Sequence, residues 1–252
     1  MGKGVFSGPI AHRGLHNAET GVIENSRSAF QAAIDKGFAI ECDIQLTRDG
    51  VPVVFHDDDM GRLLGLAGDI RDASSDQVLK APLLGSTAGD CPMSFGQLLE
   101  QVAGRVLLQV ELKTQRRDKT RQLAATAAEN VASYRGPLVF ESFDPRLLKA
   151  LRVAGFKGEV GIITERYEGD GPDYAGLSSF DRFSLRHVLH WPVTQFDFLS
   201  VDKAALGLPL VRLFRALGKP VTSWTIRSES EAAAALAEAD QIVFEGFLPQ
   251  SA

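Results

Sequence analysis

Residues 39–56 read AIECDIQLTRDGVPVVFH. The run 39–46 is apolar except where carboxylates interrupt it, and Asp49-Gly50 then separates it from a second apolar run, 51–56. Both Asp and Gly tolerate positive φ, so the pair predicts a two-residue hairpin turn. With that turn, pairing partners sum to 99: Arg48 faces Val51, Leu46 faces Val53, Ile44 faces Phe55 and Asp43 faces His56. Directly opposed residues project from one sheet face with Cβ atoms about 5 Å apart. Glu41 shares the face of Asp43 by the period-2 alternation, while Cys42 points away. This register gathers Glu41, Asp43 and His56, and a slip of one residue is expected to scatter them. Pro52 donates no ladder hydrogen bond, which predicts that the returning arm is an edge strand.

Outward from this hairpin, strand-like runs alternate with helical patterns, the mark of βα units and a parallel sheet. Candidate strands lie at 5–12, 39–46, 105–112, 137–142, 158–164, 197–202, 219–225 and 241–246, with 51–56 as the extra hairpin arm. Eight such strands predict an α/β (β/α)8 TIM barrel. Helices are expected over 25–36, 95–103, 117–133, 144–154 and 203–217, and from Ser228 to about Ala239. Their ends carry capping signals: Asn25/Ser26 before and Gly37 after the first, Ser94 before the second, and Asp144-Pro145 with Gly155 around the fourth. Ser228 with Glu231 forms a capping-box pattern. The stretch 57–93 is rich in Gly, Asp, Ser and Pro, with a short helical pattern near 74–80. It reads as a small insertion after the second barrel strand, beside the site, within a single domain spanning 1–252.

The chain has 252 residues, 44% hydrophobic and 23% charged, with a formal charge of −5. This suits a soluble globular protein. No basic stripe is present, which argues against nucleic acid as a partner. No apolar run approaches the roughly 18 residues of a spanning helix, and no polybasic segment suggests a stable membrane association. No secretory h-region is visible. Cys42 and Cys91 match no zinc spacing and are too few for a disulfide framework, so both are expected as free thiols in a cytoplasmic protein. Length and composition leave monomer and homo-oligomer equally open.

Barrel active sites form at the C-terminal ends of the strands. The polar residues there include His12 and Arg13, Glu41 and Asp43, Glu111 and Lys113, Trp224, and Glu245. Arg13 leaves an apolar strand into the expected mouth, where a guanidinium fork suits phosphate oxygens. Carboxylates rarely enter a core unless paired or bound to a cation. Glu41, Asp43 and Glu111 make an oxygen-ligand set suited to one divalent cation, Mg²⁺ or Ca²⁺. Salt bridging with Arg13 and Lys113 alone is the competing reading, but three acids exceed two bases. His12 and His56 suit proton transfer. Together these residues point to cleavage of a phosphodiester. His16, His187 and His190 read as surface or packing residues. Trp224 reads equally as rim packing or as a wall for the substrate's alcohol group.

The pattern resembles the glycerophosphodiester phosphodiesterase family. The residues that carry the resemblance are AHRG (11–14), IENS (23–26), SAF (28–30), KGFAIECDIQLTRDG (36–50) and VPVVFHD (51–57). It continues through DMGRLLG, VELK, ESFDP and SWTI, densest from 10 to 62. The resemblance implies a (β/α)8 barrel with an insertion after the second strand and metal-dependent hydrolysis to glycerol 3-phosphate and an alcohol. It implies that His12 and His56 are the acid–base pair, that Arg13 and Lys113 contact the phosphate, and that Glu41, Asp43 and Glu111 hold the cation. The sequence departs from the family pattern at Ile23, where proline is usual, which is expected only to alter the loop. Glu141 stands where glutamine or a similar residue is usual, and is expected to add negative charge near the mouth. Arg227 replaces a common asparagine, and Phe244-Glu245 replaces a Thr-Asp ending. The last three bear on alcohol preference. Two other readings remain. One is a phospholipase acting on lyso-lipids, with Phe180, Phe183 and Leu185 offering apolar surface. The other is a non-catalytic phosphodiester-binding barrel.

Overall fold

Short apolar strands, each followed by a capped helix, close on themselves. The computed structural model describes residues 4–116, 119–169, 174 and 176–249. In chain order the strands are β1 (Ile10–Ala11), β2 (Ala39–Leu46), β3 (Pro52–Val54), β4 (Met93–Ser94), β5 (Leu108–Leu112), β6 (Leu138–Ser142), β7 (Val160–Thr164), β8 (Phe198–Asp202), β9 (Val221–Ile226) and β10 (Gln241–Phe244). Eight of them, all but β3 and β4, form a parallel ring that closes where Ile10 pairs with both Val243 and Ala39. The expected TIM barrel is therefore present.

Period-2 alternation sorts the strand residues. Ile40, Cys42, Ile44, Leu108, Val110, Leu112, Phe140 and Leu199 face outward into the helix-covered core. Both cysteines are free, and Cys42 lies in this outer layer, as expected. The inward set at the N-terminal end is a separate apolar cluster of Phe6, Ile10, Ala39, Leu107, Val139, Phe198 and Val243. Here Gly161 is required by space. A Cβ on it would sit 2.2 Å from the Phe198 ring, which stacks edge-on against Phe6. The floor of the barrel is thus filled, and the inward polar residues lie above it.

Most helices end where the caps predict. The helix α1 (Arg27–Asp35) is capped by Ser26, and α4 (Phe95–Val102) by a full Ser94–Gln97 box. In α6 (Pro145–Val153), Asp144 caps and Pro145 occupies the first turn. The helix α5 (Thr120–Val131) lies inside the expected 117–133, of which residues 117 and 118 fall outside the described set. The expected 203–217 helix is divided into a 3-10 turn, Lys203–Ala205, and α9 (Pro209–Ala216), because Pro209 can only open a helix. Ahead of α10 (Glu229–Glu238) the Ser228 hydroxyl accepts from the Glu231 amide, but Glu231 does not return the bond. Its carboxylate accepts from the Arg227 amide and from Lys203 instead. Between β7 and β8 lie α7 (Ser179–Arg186) and α8 (Trp191–Thr194). His187 and His190 sit in the turn between them, with His187 against Phe183 and His190 against Phe196.

The hairpin register differs from the expected one by a residue. Ile44 pairs with Val54, Gln45 with Val53 and Leu46 with Pro52. Thr47 donates to Val51 and Gly50 donates to Thr47, so the loop holds three residues, Arg48 to Gly50. Gly50 alone supplies the positive φ, at 83°. This is the three-residue loop with a left-handed third position, next in frequency after two-residue turns. Nor is β3 an edge: Val53 and Val54 pair with Ser94 and Met93 of β4, which takes that place.

The insertion carries α2 (Gly61–Leu64) and α3 (Ser75–Lys80). Its own apolar cluster joins Met60, Leu63, Leu64, Ile70, Val78 and Leu83 to Val53 and Phe55 of the hairpin arm. Ile23 is buried in the same cluster. Its departure from the family's proline therefore does more than alter a loop, because it helps fasten the insertion to the barrel.

Candidate active site

Glu41 and Asp43 leave β2 on the inner face, and Glu111 pairs directly with Asp43 across the β2–β5 ladder. All three are buried, and each offers an oxygen within 4.8 Å of the others. Opposed oxygens of a Ca²⁺ sphere are about 5 Å apart and those of Mg²⁺ about 4 Å, so the set fits one hard cation. Burial, followed by the charges of Asp43, Glu111 and Glu141, pushes the Glu41 carboxyl well above its usual range. Burial works the same way on Asp43, but Lys113, His56, Arg13 and an Asn25 hydrogen bond outweigh it and hold Asp43 well below. Two buried acids driven apart in this way mark a site short of positive charge. Lys113 supplies part of it, 3.0 Å from Glu111 and 3.6 Å from Asp43.

His12 and Arg13 emerge from β1 in the same layer. The His12 amide continues the ladder to Phe244, and the chain then turns sharply at Arg13 (φ 54°) and Gly14 (φ 80°). A Cβ at Gly14 would lie 2.9 Å from the Ala29 backbone, so the third residue of His-Arg-Gly must be glycine. The turn brings the Arg13 amide to Glu41 at 2.9 Å. The Arg13 guanidinium reaches Glu24 at 2.7 Å and Asp43 at 3.5 Å. His12 Nε2 lies 3.9 Å from Glu41.

With the observed register, Asp43 faces Phe55, and strict alternation would turn His56 away. The last ladder bond runs from the Phe55 amide to the Asp43 carbonyl at 3.1 Å, and pairing stops there. The Gln45 side-chain amide donates to the carbonyls of Phe55, His56 and Asp57, at 3.0, 3.3 and 2.8 Å, and holds this segment after it leaves the sheet. His56 remains close enough for its charge to stabilise the Asp43 carboxylate. His56 thus stays within electrostatic reach of Asp43 despite the one-residue slip.

Each histidine turns Nδ1 to a carboxylate backed by an arginine. His56 Nδ1 lies 2.8 Å from Asp57, which accepts from Arg62 at 2.6 and 2.9 Å. Arg62 also grips Glu24, the partner of Arg13. His12 Nδ1 lies 2.5 Å from Glu245, which accepts from Arg227 at 2.8 Å. His16 belongs here too: its Nε2 is 3.7 Å from Glu245, which corrects its reading as a surface or packing residue. Glu24, Arg62 and Arg227 escaped the sequence reading as site residues. The signal for Arg227 and Glu245 was their joint departure from the family pattern.

Glu141 pairs with Glu111 across β5–β6 and is buried. Burial pushes its carboxyl up to about 8, with the charges of Glu111 and Asp43 acting the same way. Trp224 sits at a bulge, where Trp224 and Thr225 together oppose Val243, and its ring meets Phe143 edge-on at 5.7 Å. Bulges re-aim side chains beside active sites. Its indole nitrogen is buried without a hydrogen-bond partner. No helix among the described residues is long and apolar enough to cross a membrane.

The chain matches the model of the glycerophosphoryl diester phosphodiesterase family over residues 12–243. It is 29% identical to a glycerophosphodiester phosphodiesterase of Caldanaerobacter subterraneus subsp. tengcongensis, over 71% of this chain and 60% of that protein. The chain thus spans under two thirds of that relative's length. A phosphodiesterase of Oleispira antarctica, solved in complex with the product sn-glycerol-3-phosphate, shares the fold at a TM-score of 0.76 and 21% identity, covering 94% of this chain and 92% of that one. A glycerophosphodiester phosphodiesterase of Thermotoga maritima superposes with a TM-score of 0.67 at 25% identity, over 93% and 92%.

Proposed function

The chain belongs to the glycerophosphoryl diester phosphodiesterase family, and from that premise we propose that it hydrolyses glycerophosphodiesters such as glycerophosphocholine or glycerophosphoethanolamine. The products are glycerol 3-phosphate and a free alcohol. The observation that carries this reading is the convergence of Glu41, Asp43 and Glu111, with His12 Nε2 3.9 Å from Glu41 and His56 within electrostatic reach of Asp43. Glu41, Asp43 and Glu111 would hold one divalent cation, Mg²⁺ or Ca²⁺, which when bound would supply positive charge for the phosphoryl oxygens. Arg13 and Lys113 orient the phosphate and neutralise the charge that develops on it. One of the two imidazoles removes a proton from the nucleophile and the other protonates the leaving alcohol. If the nucleophile is the neighbouring glycerol hydroxyl, a cyclic phosphate forms as the alcohol departs, and water then opens it. If it is water, the diester is cleaved in one step. Trp224 lines the place of the alcohol group.

The test is an assay of glycerol 3-phosphate release over a panel of glycerophosphodiesters, in chelator and with Mg²⁺ or Ca²⁺ restored. Release that vanishes in chelator and returns with the metal is expected. Full release in chelator, or binding by calorimetry without turnover in either metal, overturns the reading. The exposure of Phe180 (72%) and Phe183 (53%) on α7 favours a second substrate class, lyso-lipids, at the same site. Leu185 is half-buried and adds little to that surface. Faster turnover of a lyso-lipid than of glycerophosphocholine at equal concentration would select it.

A further inference from the structure

We propose that Glu245, clamped by Arg227, is the positioning residue of His12: it fixes the imidazole with its proton on Nδ1 and aims Nε2 at the acidic centre. The inference rests on the reading of His12 as a proton-transfer residue.

Glu245 follows β10 and His12 follows β1, the strands that close the barrel. One carboxylate oxygen of Glu245 meets His12 Nδ1 at 2.5 Å, while the other accepts from Arg227 Nε at 2.8 Å and Nη2 at 2.6 Å. An ionised carboxylate only accepts, so the hydrogen between it and His12 sits on Nδ1. The lone pair of neutral His12 is then on Nε2, the nitrogen that faces Glu41 at 3.9 Å. His16 Nε2 is also near, 3.7 Å from the same Glu245 oxygen. Arg227 is itself anchored, because its amide donates to Glu231, which Lys203 also holds.

His12, His16 and Glu245 also present ligand atoms within 4.8 Å of one another, which invites a metal reading. Ligands at about 2.0–2.1 Å around a tetrahedral ion lie about 3.3 Å apart. His12 and Glu245 meet at 2.5 Å, a hydrogen-bonded contact rather than ligand spacing. Arg227 and Glu245 are also two of the positions at which this sequence leaves the family pattern. In the fold they are partners, so they form one unit with a positioning role.

Nitrogen-15 NMR of the histidine rings in the wild-type protein with saturating Mg²⁺, assigned with His12→Asn, reads the tautomer directly. Kinetics of Glu245→Ala, Glu245→Asp and Arg227→Ala on glycerophosphocholine supply the second readout. A wild-type Nδ1–H tautomer is expected. Glu245→Ala should lose it and lower kcat about ten- to hundredfold, with KM within about threefold, as when the carboxylate behind a working histidine is removed. Arg227→Ala should lower kcat by less, and Glu245→Asp should recover part of the loss. A wild-type Nε2–H tautomer overturns the proposal. So does a folded Glu245→Ala with unchanged kcat, or one whose kcat falls while the tautomer persists. Should Glu245→Ala fail to fold, the wild-type tautomer and Arg227→Ala still decide. Full turnover by His12→Ala would instead remove the catalytic reading and leave the tautomer result standing.

Discussion

The two histidine arms have the same composition and opposite origins. His56, Asp57 and Arg62 come from one short stretch of chain, and Gln45 holds the backbone that carries them. His12 and Glu245 are separated by 233 positions and meet only because β1 docks on β10. The local arm needs a loop, and the distant arm needs the whole barrel. They also differ in wetness, since the His56 side chain is 30% exposed and that of His12 is 16%. Burial is the largest influence on His12 and lowers its proton affinity, against the pull of Glu245.

The largest effects should be shared by both arms. His12→Ala and His56→Ala are each expected to lower kcat by at least about a hundredfold with the fold retained, the usual range for a lost acid or base. Near-wild-type turnover from either would break the pairing. Next, Phe244→Ala should separate the arms. Phe244 is buried against Phe38 and Phe247, and its carbonyl receives the His12 amide. Truncation should cost about 3 kcal/mol by denaturant unfolding. The ring signals of His12 should shift more than those of His56, and equal shifts would erase the contrast. Asp57→Ala should lower kcat about tenfold, less than Glu245→Ala does, because water can reach His56 and replace the carboxylate. A larger loss than at Glu245 would reverse the order.

The smallest effect concerns Glu24, which ties Arg62 of the local arm to Arg13. Its carboxyl is held down to about 2 against burial by hydrogen bonds from Arg62 and the charge of Arg13, from an ordinary value of 4.5. A depressed carboxyl stabilises the fold above its unfolded value and loses that contribution as pH falls through the folded one. Glu24→Gln should therefore cost about 1 kcal/mol at pH 6 and progressively less from pH 4.5 down to 2, followed by urea unfolding. A constant difference between the two proteins across that range would refute the assignment.

The same contrast explains what could be read from the chain. Glu41, Asp43 and Glu111 were visible because each is a carboxylate in an otherwise apolar strand, and Lys113 because it directly follows one. His12 and Arg13 stood at the end of another. The hairpin register was not legible. Asp49-Gly50 suits a two-residue loop and the last two positions of a three-residue one equally, and only Gly50 takes positive φ. Met93–Ser94 is too short to show any period. Gln45 looked like one more strand residue, although it gathers three carbonyls where the ladder stops. The Glu245–His12 contact has no local trace, because the docking of β1 on β10 creates it, while Arg227 reaches Glu245 from the end of the neighbouring β9.

The filled floor has a consequence for traffic. With the Phe198 ring lying where Gly161 lacks a side chain and Phe6 beneath it, the barrel is a blind well. On the proposed reading, a diester would come in by the rim, and both fragments would go out the same way. On that reading the alcohol, which carries no phosphate for Arg13 and Lys113 to hold, would leave before the phosphate-bearing fragment.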